Sequence, residues 1–230
     1  MTAGPPLFSI IIAYRPEEQG ARLLPRALDS IGRQSCQDFE VVLCHPGPLP
    51  AEIDPPAHPK IVRCQIEADD EVSLRQAGLA RASGEFVINM KCEDLLYDFA
   101  LDRIVRTRGT PRRAIKLSEA GRFLDTTDET VAGEDADILI FAILNIGLEC
   151  DGDHLWMNAR YDRRHALLLT GRPALVELME CMQVAIRRTF WLAEGGWTDP
   201  APNGHAVMHC RFIEENWARC VPAVLGEHWG

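Results

Sequence analysis

The sequence lacks an excess of positive charge, a CxxC pair and any apolar run long enough to cross a bilayer, and each absence removes a class of protein. Lys and Arg number 24 against 34 Asp and Glu, a formal net charge of −10. That argues against a general nucleic-acid binder, which needs a basic footprint for the phosphate backbone. Eight cysteines are present but scattered, at Cys36, Cys44, Cys64, Cys92, Cys150, Cys181, Cys210 and Cys220. Without CxxC spacing, zinc-ribbon and thioredoxin-type centres find no support. Several thiols sit in apolar runs such as VVLC, where they act as small hydrophobes, and reduced thiols in a cytoplasmic protein are the expectation. The run ILIFAILNIGL falls short of the ~20 residues of a membrane helix and reads as a core strand. The N-terminus shows neither the basic region nor the long apolar segment of a signal peptide.

What remains is an ordinary globular composition. The chain has 230 residues, 47% hydrophobic and 25% charged, enough to bury a sizeable core without staples. LFSIIIAY (7–14) reads as a buried parallel strand, ARLLPRALDSIGRQ (21–34) as a helix with Pro25 near its start, and FEVVLC (39–44) as a second strand closed by HPGPLP. KIVRCQI (60–66) is a third strand. DDEVSLRQAGLARASG (69–84) is a helix with acids at its N-terminus and Gly84 at its end, EFVINM (85–90) a fourth strand and LYDFALDRIVRTR (96–108) another helix. The second half is less regular: a strand in 135–144, a helix and then a strand in 172–188, a loop over 195–204 and a helix over 205–220. This alternation specifies an α/β layered domain with a mostly parallel central sheet flanked by helices.

In such sheets the ligand crevice lies outside the carboxyl ends of the strands. That rule lines up Tyr14–Glu17, His45–Gly47 and Lys91–Asp94 on one edge. In VINMKCEDLLYD an apolar strand climbs to Met90 and meets Lys91, Cys92, Glu93 and Asp94. Carboxylates there suit a metal or a substrate, and a lysine heads them.

These residues carry a family likeness. The opening FSIIIAYRPEEQGARLLPRALDSIGRQSCQDFEVVLCHPGP, the stretch LRQAGLARASGEFVINMKCEDLL and the later AIRRTFWLAEGGW resemble the inverting glycosyltransferases of family 2, over most of residues 7–215. The resemblance implies a GT-A-like nucleotide-diphospho-sugar transferase fold in a single domain, 1–230, with a nucleotide-binding half over 1–109 and an acceptor-side half over 110–230. It implies a nucleotide-diphospho-sugar donor, a glycan or small-molecule acceptor and a divalent cation, Mn or Mg. Ala13, Tyr14, Arg15 and Glu17 fall beside the base and ribose, and Arg75 matches the arginine that approaches the donor. The chain departs from the pattern at three places. His45 replaces the aspartate that reads uracil, Lys91 replaces the first aspartate of the acidic motif, and Gly204-His205 replaces the catalytic acid pair.

A cation bridging two phosphates wants hard oxygen ligands. Glu93, with Asp94 and His228, is the expected metal set; alternatively Lys91 takes over the charge-neutralising role as a nucleotide-binding residue. Inverting transfer needs one general base. His205 stands where that base is expected, imidazole titrates in the useful range, and Asp199 competes from the same loop. A zinc site built on His205, His209 and His228 is a weaker idea, because the spacing lacks the internal glutamate. Trp197 and Trp229 offer aromatic faces to a sugar or pack in the core, and Arg187 and Arg188 either reach a diphosphate or pair at a sheet edge. Arg103, Arg106, Arg108, Arg112, Arg113 and Lys116 form a solvated basic face, or a contact with phosphates or an acidic membrane surface. A non-catalytic module with the same fold, binding a nucleotide or a partner protein, is the alternative to the enzyme. A nucleotidyltransferase gains no support, since no glycine-rich loop follows the first strand.

Overall fold

The computed structural model describes residues 4–15, 20–49, 51, 60–108, 114–117, 123–126, 136–146, 148–151, 154–157, 166–169, 180–197, 212, 216 and 218–229. The first half follows the expected alternation. Strand β1 (Phe8–Ala13) is buried at every position, as a strand covered on both faces must be. Helix α1 (Gly20–Gly32) follows, then β2 (Phe39–His45) and β3 (Ile61–Gln65). Pro25 stands inside α1, past its first turn, so one intrahelical hydrogen bond is missing there. Helix α2 (Glu71–Arg81) is capped by Asp70, whose side chain accepts from the Ser73 N–H at 2.8 Å, with Glu71 in its first turn and Arg81 in its last.

The chain re-enters the sheet as β4 (Phe86–Met90). Gly84, read from the sequence as a helix end, has a packing role: a Cβ there would lie 2.6 Å from the Phe8 and Ser9 backbone. A short strand that the sequence does not announce, β5 (Asp94–Leu96), precedes α3 (Ala100–Arg108). In the second half come β6 (Ala114–Leu117), β7 (Phe123–Thr126), β8 (Ile138–Ile146), β9 (Leu148–Asp151), β10 (His154–Met157) and β11 (Ala166–Leu169). A single 3₁₀ turn (Cys181–Gln183) leads into β12 (Val184–Arg187) and the short helix α4 (Arg188–Ala193). The last element is β13 (Ala218–His228). The helix expected over 205–220 therefore gives way to strand at its final three residues, while most of that stretch lies outside the described residues.

Among the described residues one 11-stranded sheet runs β3-β2-β1-β4-β12-β8-β13-β6-β7, with β11 added on β8 and β5 on β13; β9 and β10 form a separate ribbon. The sheet is parallel across β3, β2, β1 and β4. It then turns mixed: β12 is antiparallel to both β4 and β8, and β13 is parallel to β8. Two apolar layers cover its faces. Ile10, Ile12, Ile88 and Met90 face one way with Leu24 of α1 and Leu101 of α3, while Ile11, Val42 and Val87 face Leu74 and Leu79 of α2. Among the described residues no helix is long and apolar enough to cross a membrane.

Candidate functional site

The carboxyl ends of β1, β2 and β4, the C-terminal ends of β8 and β13, and the turn before β12 meet on one edge of the sheet. Registers establish this: Ala13 pairs with Cys44, Ile12 with Met90, Ala185 with Ile88, and His228 with both Asn145 and Asp94. Tyr14, His45 and Lys91–Asp94 thus share one edge, as the strand rule required. The turn residue Glu180 joins them without having been singled out from the sequence.

Lys91, Asp94, Glu180 and His228 form one network. The Lys91 backbone N–H donates to Asp94 Oδ2 at 2.6 Å, and Asp94 Oδ1 lies 2.6 Å from His228 Nδ1. His228 Nε2 lies 3.6 Å from Glu180 Oε1, and the Lys91 ammonium is 3.2 Å from Glu180 Oε2. Every carboxylate oxygen of Asp94 and Glu180 faces a nitrogen. Asp94 is fully buried, so its charge depends on these partners. Burial alone would pull the Lys91 pKa down; the charge of Glu180, with Asp94 and Glu93 behind it, outweighs burial and holds the ammonium above its ordinary range. Burial likewise opposes the His228 imidazolium, but Glu180 and Asp94 raise its pKa above 6.5. Burial and the neighbouring Asp94 charge push the Glu93 carboxyl up. Glu180 is itself fixed: its backbone N–H donates to Gln183 Oε1 at 2.9 Å, and Gln183 donates to the Phe141 and Leu169 carbonyls at 3.2 Å.

Arg75 reaches the same edge from α2. Its Nε donates to Glu71 Oε1 at 2.8 Å, one helical turn back, and its Nη2 donates to the Cys181 thiol at 3.4 Å. The guanidinium carbon lies 5.1 Å from the centre of the Trp197 ring. Trp197 is brought there by Gly195 and Gly196, both at positive φ (90° and 72°) after α4, and by its N–H bond to Gln76 Oε1 at 2.7 Å. Trp197 also packs against Trp191, ring centres 5.3 Å apart, so it serves the core. Arg75 is 1% exposed, yet its Nη1 has no hydrogen-bond partner among the described residues. Both amide atoms of buried Asn89 are in the same state. Strand alternation puts Asn89 on the side of Val87, the face that α2 covers. Burial pushes the Cys181 thiol up to about 12, so it stays protonated beside Arg75.

His45 and Tyr14 border this network, the Tyr14 N–H donating to the Cys44 carbonyl at 2.8 Å. His45 Nδ1 donates to the Gly47 carbonyl, so in the neutral ring Nε2 is the acceptor. Nε2 is buried without a partner among the described residues. Ala13 and Arg15 flank Tyr14 on the same edge, whereas Glu17, Asp199, His205 and His209 lie outside the described residues. Trp229, after β13, donates to Glu227 Oε2 at 2.9 Å and stacks under Arg26, 4.8 Å from its ring centre. Arg187 and Arg188 sit at the opposite end of β4. Arg187 pairs with Glu85 and, at 2.7 Å, with Asp137, while Arg188 Nε donates to the Gly84 carbonyl at 3.3 Å. The ion-pair reading holds for Arg187, while Arg188 bonds the backbone. Arg106 pairs with Asp102 at 2.8 Å and Arg108 with Glu85 at 2.9 Å.

A divalent cation needs hard oxygens with lone pairs to give. Asp94 and Glu180 have theirs committed to Lys91 and His228, and Asp94 and His228 bond to each other instead of converging on a shared centre. Among the described residues no group of three or more His, Cys, Asp or Glu side chains is arranged to hold a metal. The ammonium of Lys91 also opposes a second cation; two unit charges 4 Å apart interact by about 4 kcal/mol at an effective dielectric of ~20. The expected set of Glu93, Asp94 and His228 does not fit a metal as these side chains stand.

No known family's sequence profile matches the chain. It is 33% identical over 102 residues to PGL/p-HBAD biosynthesis glycosyltransferases of Mycobacterium tuberculosis and Mycobacterium bovis, a match covering 40% of this chain and 38% of theirs. The matched stretch spans about two-fifths of those curated relatives. Among solved structures, S. aureus TarS in complex with UDP superimposes with a TM-score of 0.59 at 12% identity, over 96% of this chain and 59% of that one. The mannosyltransferase PcManGT from Pyrobaculum calidifontis, in complex with GDP-Man and Mn2+, gives 0.53 at 14% identity, over 98% and 57%. The fold is thus that of the GT-A-type glycosyltransferases.

Proposed function

We propose that the protein is a glycosyltransferase that moves a sugar from a nucleotide-diphosphate donor to a hydroxyl of a glycan or small acceptor, with inversion. The observation that carries this reading is the meeting of Tyr14, His45, Arg75 and Lys91–Asp94 at the carboxyl edge of a GT-A-type sheet. The mycobacterial relatives are PGL/p-HBAD biosynthesis glycosyltransferases by name, and the solved neighbours bind UDP or GDP-Man. Residues 1–109 would hold the nucleotide and residues 110–230 the acceptor, in one domain placed in the cytoplasm, with the basic 103–116 segment within reach of an acidic membrane. Tyr14 and Arg15 flank the nucleoside, Nε2 of His45 accepts from a base N–H, and Arg75 and Lys91 face the diphosphate. His205, or Asp199 in its place, takes the proton of the acceptor hydroxyl as that oxygen attacks the anomeric carbon. The bond from that carbon to the phosphate oxygen breaks, and the nucleoside diphosphate leaves with its electron pair.

The test is turnover of UDP-GlcNAc and GDP-mannose with candidate acceptors, followed by NMR of the anomeric proton in the product. Inverted product supports the reading, and retained configuration overturns inversion. His205→Ala is expected to abolish transfer and spare donor binding by calorimetry; a fully active variant removes His205 as the base. The second reading, a non-catalytic binding module, is favoured by Gly204-His205 in place of an acid pair. It predicts donor binding without turnover for any acceptor.

A further inference from the structure

Lys91 stands at the head of an acidic motif, and its surroundings are built for a fixed positive charge. Glu180 holds the ammonium at 3.2 Å, and Gln183 holds Glu180. His228 lies between the two acids, its Nδ1 2.6 Å from Asp94 Oδ1 and its Nε2 3.6 Å from Glu180 Oε1. Lys91 thus brings a protein cation to a place where carboxylates would otherwise meet a divalent ion. Lys91 keeps 22% of its side chain exposed, so an anion in the crevice can reach the ammonium, which has donors to spare beyond Glu180.

The second observation is independent. Arg75 Nη1 and the Asn89 amide are buried donors without partners among the described residues, on the α2 face beside Cys181. Buried donors of this kind need a physical account, and a bound anion supplies one. A diphosphate is rich in acceptor oxygens, and lysine and arginine are the side chains that hold phosphate.

We propose that this chain holds the diphosphate of its donor with its own fixed cations, Lys91 first and Arg75 behind it, and needs no divalent metal to do so. The inference rests on the nucleotide-sugar reading and deepens it: the cation role of the donor site has passed into the polypeptide.

Calorimetric titration of the full chain with UDP and with GDP, in EDTA and in manganese chloride, tests it. The expected result is binding of one nucleotide with a Kd that agrees within about twofold between the two buffers. Lys91→Ala is expected to weaken it at least tenfold in both. Because that variant leaves Glu180 unpaired, Lys91→Met combined with Glu180→Gln is the second probe; it replaces the ion pair with neutral groups of similar shape. The double variant is expected to melt cooperatively and still lose the nucleotide. Binding that disappears in EDTA overturns the inference while leaving the transferase reading intact. A folded double variant that binds like the parent also overturns it. No binding of either nucleotide in either buffer overturns both.

Discussion

At the scale of single residues, the feature with the largest energetic stake is the His228–Asp94 contact. Asp94 is 0% exposed, and His228 supplies one of its two hydrogen bonds. Removing one partner of a buried ion pair leaves an uncompensated charge, at a cost of about 3–5 kcal/mol. His228→Phe is expected to lower the unfolding free energy measured by urea titration by that amount, and an unchanged value would show that the His228–Asp94 contact does not stabilise the fold. The pH dependence has a definite sign. The folded pKa of His228 lies above the unfolded value of 6.5, so its stabilisation is complete below that value and is lost as pH rises through the folded pKa. A series of melting temperatures above pH 6.5 should fall for the parent and stay flatter for His228→Phe. Lys91, Asp94 and His228 were legible in the sequence because acids and bases at strand ends are conspicuous. Glu180 was not, since one glutamate within VELMECMQ resembles a helix-surface residue, and only the register of β12 against β4 brings it to Lys91.

At the scale of elements, α2 approaches the sheet so closely that Gly78 has no room for a side chain. A Cβ there would lie 2.5 Å from Ile11 Cγ2 and 2.8 Å from the Cys44 sulfur, both buried in the sheet. Gly78→Ala is therefore expected to destabilise by about 1–3 kcal/mol despite alanine's better helix propensity. Because α2 carries Arg75, the same variant should also weaken nucleotide binding. A thermal melt and a titration check the two effects, and a stabilised variant would mean that α2 can lift without loss. The elements of the first half were readable because each is an apolar run bounded by glycine, proline or acid. Several strands were hidden, β5 and β13 among them. Strand β5 is only three residues long, and β13 contains Pro222 and Gly226, residues that read as a loop. Gly226 is required there, because a Cβ would fall 2.3 Å from the Leu95 carbonyl oxygen of the paired strand.

At the scale of the whole molecule, the sheet has a graded interior. Strands β1 and β4 are buried at every position, whereas β3, at the end of the order, has only partly buried and exposed residues. Hydrogen exchange is expected to reach β3 amides first and β1 and β4 amides last, at a rate set by global unfolding. Uniform exchange across the three strands would contradict that gradient. The mixed half explains why the sequence read as mostly parallel: strand direction leaves no trace in a short apolar run, and β12 inserts antiparallel between β4 and β8.

The pairing of Asp94 with His228 has a consequence for how the protein is made. The two residues are 134 positions apart. At ribosomal speeds of ~5–20 residues per second, an emerging chain waits roughly 7–27 seconds between delivering the aspartate and delivering its histidine. Through that interval the parallel strands are already available to pair, but the carboxylate they would bury has no imidazole to meet it. The polar network at this edge is completed only by the arrival of β13, so Asp94 stays without its imidazole partner until residue 228 clears the exit tunnel.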